Sequence, residues 1–190
     1  MFDGLVGSLG ESGMGSISRR YFISNGFDGT LTCIGITVSS YLTGVGDGVM
    51  VIKIALGAAV GLGTSGVWSV WEIEKAERLA EIHEIEDAML EKLEDTRLER
   101  QKQKERKFNA VMSGLGPLIG ILVPVLPFLF EGGLLSMLEA TTFSVALGVA
   151  VLFTFGAYMS TISRQRWYVA GVRMGLAGLV VGVINILLPG

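Results

Sequence analysis

Charged and uncharged stretches alternate along this chain on the scale of a membrane thickness. Residues 29–46, 54–71, 109–130 and 140–163 contain no Asp, Glu, Lys or Arg, and 167–190 contains only Arg173. With the first stretch extended back to Tyr21 and the second to Gly48, each reaches about the 20 residues that a helix needs to cross the hydrocarbon core. The pattern predicts an all-α, polytopic membrane protein with five transmembrane helices. It divides the chain into a flexible N-terminal segment over 1–18, spans one and two over 19–71, a charged segment over 72–108 and spans three to five over 109–190.

Composition agrees with that division. Half of the 190 residues are hydrophobic and 27 are glycine, and the mean hydropathy is +0.56, as expected where glycine-bearing helices lie in lipid. The single cysteine, Cys33, excludes an intramolecular disulfide and reads as inert packing within a span. The Gly/Ser-rich first 18 residues lack the basic start and apolar core of a cleaved signal peptide. Orientation follows from Lys and Arg. Arg19 and Arg20 precede span one, nine basic residues lie in 72–108, and Arg164 and Arg166 separate spans four and five; the connections 43–49 and 131–139 have none. The positive-inside rule therefore puts the N-terminus and the 72–108 segment in the cytoplasm and the C-terminus outside, with Trp68, Trp71 and Trp167 at the cytoplasmic interface. With no targeting element to redirect it, the default membrane is a prokaryotic plasma membrane.

Within span one a single acid interrupts the apolar run. Asp28 lies eight residues past Arg20, roughly 12 Å deep on a helix. Asn25, Asp28, Thr32, Gly35 and Ser39 follow helical spacing and form one polar or small stripe, with Phe27, Leu31, Ile34 and Val38 expected on the opposite face. A carboxylate at that depth costs at least a few kcal/mol if it faces lipid, so it should face a neighbouring helix or a wet path. Two readings are open: a residue of an ion path, or a structural acid paired with a buried cation, for which Arg173 at similar depth is the candidate. Lys53 is expected to snorkel outward. Gly57, Gly61, Ser65 and Ser69 in span two, and Gly171, Gly175, Gly178 and Gly182 in span five, make small-residue faces for close helix packing, within the chain or between protomers. Pro117, Pro124 and Pro127 interrupt span three and favour a kink.

The 72–108 segment contains twelve acidic and nine basic residues and no Gly or Pro, and reads as a helix continuing span two out of the membrane. Glu74, Glu77, Glu81, Glu84 and Glu91 fall on one face, and Leu79, Ile82, Met89 and Leu93 on a roughly opposite one. Thr96 followed by Glu99 has the spacing of a capping box at the start of a returning helix. A solvated, coiled-coil-forming helix accounts for 92–107, where the signs alternate. It does not account for 79–91, where five acids occur without a Lys or Arg, because like charges at i,i+3 and i,i+4 repel. A bound cation would reverse that repulsion. Carboxylates suit Mn²⁺, Fe²⁺ or Ca²⁺, with His83 and Met89 tilting towards transition metals. The sequence offers no nucleophile–base pair and no phosphate loop, and its one histidine argues further against an enzyme; nor does it have the basic, aromatic-bearing surface of a nucleic-acid binder.

The segments RYFISNGFDGTLTCIGITVSSYLTG (20–44), NAVMSGLGPLIGILVPVLPFLF (109–130), FGAYMSTISRQRW (155–167) and GVRMGLAGLVVG (171–182) resemble, in order, spans one, three, four and five of the vacuolar iron transporter family. The resemblance covers about residues 19–190 and rests on the Asp-Gly pair after a basic residue, on Asn109, Ser113, Gly120, Pro124, Pro127 and Phe128, and on Gly-x-Arg at 171–173. It implies a five-span homodimer that exports Fe²⁺ or Mn²⁺ from the cytosol in exchange for protons, along a path at the subunit interface. Asp28 would serve in the path and the Glu-rich helix (Glu74, Glu77, Glu81, Glu84, Glu91) would gather metal. The Gly-x-Arg match implies a structural role for Arg173. Span two departs from the family pattern: GLGTSGVWSVWE lacks the Ser-Met and Gly-Glu pairs expected there, and Glu72 is the nearest acid.

These readings combine into one expectation: a proton-coupled carrier of divalent metal in which Asp28 binds metal and proton alternately while Asn25 and Thr32 add oxygen ligands. No cofactor beyond the transported ion is expected; the partners are the bilayer, Fe²⁺ or Mn²⁺, protons and a second copy. The alternative is a non-transporting membrane scaffold that recruits a protein through Leu79, Ile82, Met89 and Leu93.

Overall fold

The computed structural model describes residues 14–89, 97–163 and 165–188. Five helices carry the fold: α1 (Met14–Leu42), α2 (Gly48–Met89), α3 (Arg97–Val125, followed by a 3-10 turn at Leu126–Phe130), α4 (Met137–Ser163) and α5 (Trp167–Leu187). The all-α expectation holds among the described residues, where the one β-type pairing is an isolated bridge between Glu131 and Leu135. α1 starts at Met14, inside the stretch read as a flexible tail. α2 is one uninterrupted helix of 42 residues, about 63 Å at 1.5 Å per residue, so the charged extension continues straight from the apolar part. α3 is described from Arg97 onward, and Thr96, the capping candidate, lies outside the described residues. The helix persists through Pro117 and Pro124, and the geometry changes only at the turn that contains Pro127.

Stretches of α2, α3, α4 and α5 (Gly48–Glu84, Glu105–Phe130, Met137–Ser163 and Trp167–Leu187) are long and apolar enough to cross a membrane. α1 is not among these four stretches. Its 29 residues are enough to cross, but Asn25, Asp28, Thr30, Thr32, Thr37, Ser39 and Ser40 make it more polar than the others. The packing explains why. α1 touches all four other helices, so that Thr30, Thr37 and Ser40 are buried among protein groups rather than lipid, whereas Asp28 is exposed.

Small residues bring α1 and α3 into backbone contact. A Cβ added at Gly116 would lie 2.3 Å from the Phe22 carbonyl oxygen, one at Gly120 2.4 Å from that of Gly26, and one at Gly29 2.7 Å from Pro117 Cα. Ile34, Val38 and Leu152 make a second contact layer between α1 and α4, and Gly178 of α5 is pressed against Leu152. On the other flank Cys33, Val51, Ala55, Ile121 and Phe128 join α1, α2 and α3.

Alternating helix directions sort the charges. Ser18, Glu74 and Asn109 meet at one end of the bundle. Gly48 meets Glu131, and Ser39 meets Asn185, at the other. Among the described residues, Lys and Arg lie at the first end except for Lys53 and Arg173. The second end carries Asp47, Glu131 and Glu139, which act as caps. The Asp47 carboxylate accepts the Val49 N–H at 2.8 Å and that of Glu131 accepts the Gly48 N–H at 2.9 Å, satisfying the free donors of α2. Glu139 and Ser136 form a reciprocal capping box at α4.

Candidate ion path along α1

Because Gly26, Gly29 and Cys33 are turned onto α3, helical geometry turns Asp28 away from it. Asp28 is exposed on the single chain, and so is Arg173. No ion pair joins the two among the described residues. The structural-acid reading therefore loses its candidate partner.

The stripe above Asp28 stays open. Thr32, Gly35, Ile36, Ser39, Ser40 and Thr43 of α1, with Val45 and Ile54 beside them, line a groove of about 410 Å³ between α1 and α2. The polar groups at Asn25, Asp28 and Thr32, of which Thr32 lines the groove, offer oxygen more readily than hydrogen. Thr32 donates its hydroxyl hydrogen to the Asp28 backbone carbonyl at 2.8 Å, and Asn25 commits its Nδ2 to the Ser113 carbonyl at 3.2 Å and to Ser113 Oγ at 2.5 Å. What remains for a ligand is the Thr32 oxygen, Asn25 Oδ1 and the Asp28 carboxylate, a set of hard donors suited to a cation.

Two polar nodes on α3 hold this stripe in place. Ser113 accepts from Asn25 of α1 and donates to the Gly66 carbonyl of α2 at 2.9 Å. Four residues earlier, buried Asn109 accepts from Ser18 of α1 and donates to the Glu74 carboxylate at 3.2 Å. Each node clamps three helices, and in an apolar interior such a satisfied pair fixes register.

Asn185 was not singled out in the sequence, yet it stands at the far end of the stripe. It accepts the Ser39 hydroxyl at 2.9 Å and donates to the Val181 carbonyl at 2.9 Å. Its amide lies 3.6 Å from where a Gly35 Cβ would be. The signal was present: Asn185 continues the Gly178 and Gly182 face at helical spacing in an otherwise apolar run.

The acidic extension is arranged differently. Glu74, Glu77, Arg78, Glu81 and Glu105, with Ile17, line a cleft of about 190 Å³ between the first turns of α1 and the extension of α2. Glu74 is half-buried; Glu77, Glu81, Glu84 and His83 are exposed. Among the described residues no three His, Cys, Asp or Glu side chains gather closely enough to hold a metal ion. Glu91 and Leu93 lie outside the described residues, and the Met89 side chain does too; Leu79 is 47% exposed.

Residues 69–188 match the family model described as "VIT family". The chain is also 25% identical over 178 residues to an uncharacterized protein, MJ0645, of Methanocaldococcus jannaschii, covering 92% of this chain and 87% of that one. No solved structure matches it.

Proposed function

The chain belongs to the VIT family, which places it among multi-pass membrane proteins associated with metal-ion transport, and from that premise we propose that it carries Fe²⁺ or Mn²⁺ out of the cytosol in exchange for protons. The observation that supports this reading is the exposed Asp28 carboxylate, without an ion pair among the described residues, on the same stripe of α1 as Thr32, Gly35 and Ser39, which line the groove. A permanently charged, lipid-facing carboxylate is costly. A carboxylate that exchanges a metal ion for a proton is neutralised in both states.

One copy supplies too few ligands. A divalent first-row ion takes four to six donors, whereas a single chain offers one carboxylate and two weaker oxygens on this face. A twofold pairing of copies across α1 and α2 would double every donor and close the groove from lipid. The face of α2 suits that pairing: a Cβ at Gly57 or Gly61 meets nothing within 4 Å, so the small-residue row is free for close approach. The cationic end of the bundle is the cytoplasmic one on this reading. There the carboxylate-lined cleft around Glu74, Glu77 and Glu81 would concentrate cations before transport.

The test is flux in vesicles reconstituted with the purified chain, with and without a pH gradient. Accumulation of Mn²⁺ or Fe²⁺ inside the vesicles that rises when their lumen is made acidic supports exchange for protons. Flux indifferent to the gradient would remove the coupling, and no flux above protein-free vesicles would remove the carrier.

A further inference from the structure

α5 packs on the bundle through Gly171, Gly175, Gly178 and Gly182, all buried. At 3.6 residues per turn Arg173 points roughly 170° from the middle of that face, and Arg166 is the extended N-cap residue seven positions before it. Arg166 and Arg173 are accordingly exposed, and Val172 (51%) and Leu176 (52%) beside Arg173 are exposed too. A guanidinium thus emerges from an apolar, outward surface of a membrane-length helix, with no carboxylate bound to it among the described residues.

The level of this pair is set by aromatic rings. Trp167 is 59% exposed and Tyr168 45%. Trp167 is held edge-on between Phe153 and Tyr168, each ring centroid 6.0 Å away. Such amphipathic rings settle at the headgroup boundary. Arg166 donates to the Tyr168 hydroxyl at 3.2 Å, which fixes it at that height. Arg173 starts two turns deeper, and its stem must run up the helix to reach a polar layer.

We propose that this outward face of α5 is a binding site for an anionic glycerophospholipid, with the lipid phosphate held between Arg166 and Arg173 and the upper acyl chain lying over Val172 and Leu176. The lipid supplies both chemistries the face lacks, an anion for two guanidiniums and hydrocarbon for the aliphatic surface. A second copy seated on the α1–α2 groove would not cover this face, because it lies on the opposite side of α5 from the one turned to α1. The site stands independently of the transported ion.

Fluorescence quenching of Trp167 in the full-length W68F/W71F protein tests this directly. The protein is reconstituted in mixtures of phosphatidylcholine and phosphatidylglycerol in which one or the other is brominated high on the acyl chain. The expected result is preferential quenching by brominated phosphatidylglycerol, by about fivefold per arginine, the factor that corresponds to ~1 kcal/mol for each basic residue at an anionic surface. The preference falls to near unity in R166Q/R173Q, is largely kept in R166K/R173K, and withstands added inorganic phosphate. Equal quenching by the two lipids, or a preference that survives R166Q/R173Q, would overturn the site. Loss of the preference on adding phosphate would reassign it to a free anion. Absence of quenching by either lipid would mean that a second copy covers the face, and would overturn it as well.

Discussion

Gly116→Ala is the sharpest test of how α1 is held. The new Cβ would lie 2.3 Å from the Phe22 carbonyl oxygen and 2.8 Å from the Gly26 nitrogen, against 3.4 Å or more for an ordinary contact. Both opposing atoms are backbone, so no rotamer change relieves the clash and α1 must move away from α3 by roughly an ångström. Overpacking of this kind costs about 1–3 kcal/mol. The displacement also stretches the contact of Asn25 Nδ2 with the Ser113 carbonyl, already 3.2 Å, past hydrogen-bond range. Each buried polar group left unpaired adds about 1–3 kcal/mol. The total, about 2–6 kcal/mol, is a large share of the 5–15 kcal/mol typical of a folded domain. Thermal unfolding in detergent micelles should therefore show G116A melting well below the parent, while G61A, where a Cβ meets nothing within 4 Å, melts at or slightly above it in a single copy. A G116A protein as stable as the parent would refute the backbone contact and the orientation of Asp28 that follows from it.

Three further outcomes follow from the same structure. Asn109→Ala should destabilise the chain by about 1–3 kcal/mol, because the Ser18–Asn109 and Asn109–Glu74 bonds are both lost; a thermal melt in micelles checks it, and no change would mean that water replaces the amide. Cys33, with 0% of its surface exposed and its thiol against the Ile121 carbonyl, should react with a maleimide only as fast as the bundle opens; labelling of the native protein at the rate of the denatured one would contradict the packing. Glu131→Ala should free the Gly48 N–H at the start of α2, costing about 1 kcal/mol as a lost cap, with faster amide exchange confined to the first turn of α2 and the 3-10 turn.

Much of the architecture was legible before any coordinates. Charge-free stretches of membrane length mark α2 to α5, and the lack of Gly or Pro over 72–108 lets the extension of α2 read as helix. The helical spacing of Asn25, Asp28, Thr32, Gly35 and Ser39 placed these residues on one face, and all but Asn25 have their side chain or Cα towards open space or the groove. What the sequence could not yield was the direction of each face. Phe27, Leu31, Ile34 and Val38 read as the face opposite the stripe, yet the surface in backbone contact with α3 is Gly26 and Gly29 with Cys33, because contact distance at a glycine depends on the partner helix and not on hydrophobicity. Arg173 read as a candidate partner for Asp28 from depth alone, and helix rotation separates them. The polar nodes at Asn109, Ser113 and Asn185 are long-range pairings, 88 to 146 residues apart for Asn25–Ser113 and Ser39–Asn185, which no local spacing encodes. The prolines of α3 illustrate the converse limit: Pro117 and Pro124 lie inside an unbroken helix, and α1 packs against Pro117 through Gly29.

The account rests most heavily on Asp28, and the most direct measurement is metal flux through the Asp28→Asn variant, reconstituted at matched density beside the parent. The amide keeps the shape of the side chain and two polar atoms but can neither balance a divalent charge nor release a proton. Mn²⁺ or Fe²⁺ flux should fall to that of protein-free vesicles while the melting temperature stays near the parent value. Undiminished flux through a folded D28N protein would contradict the account at its centre.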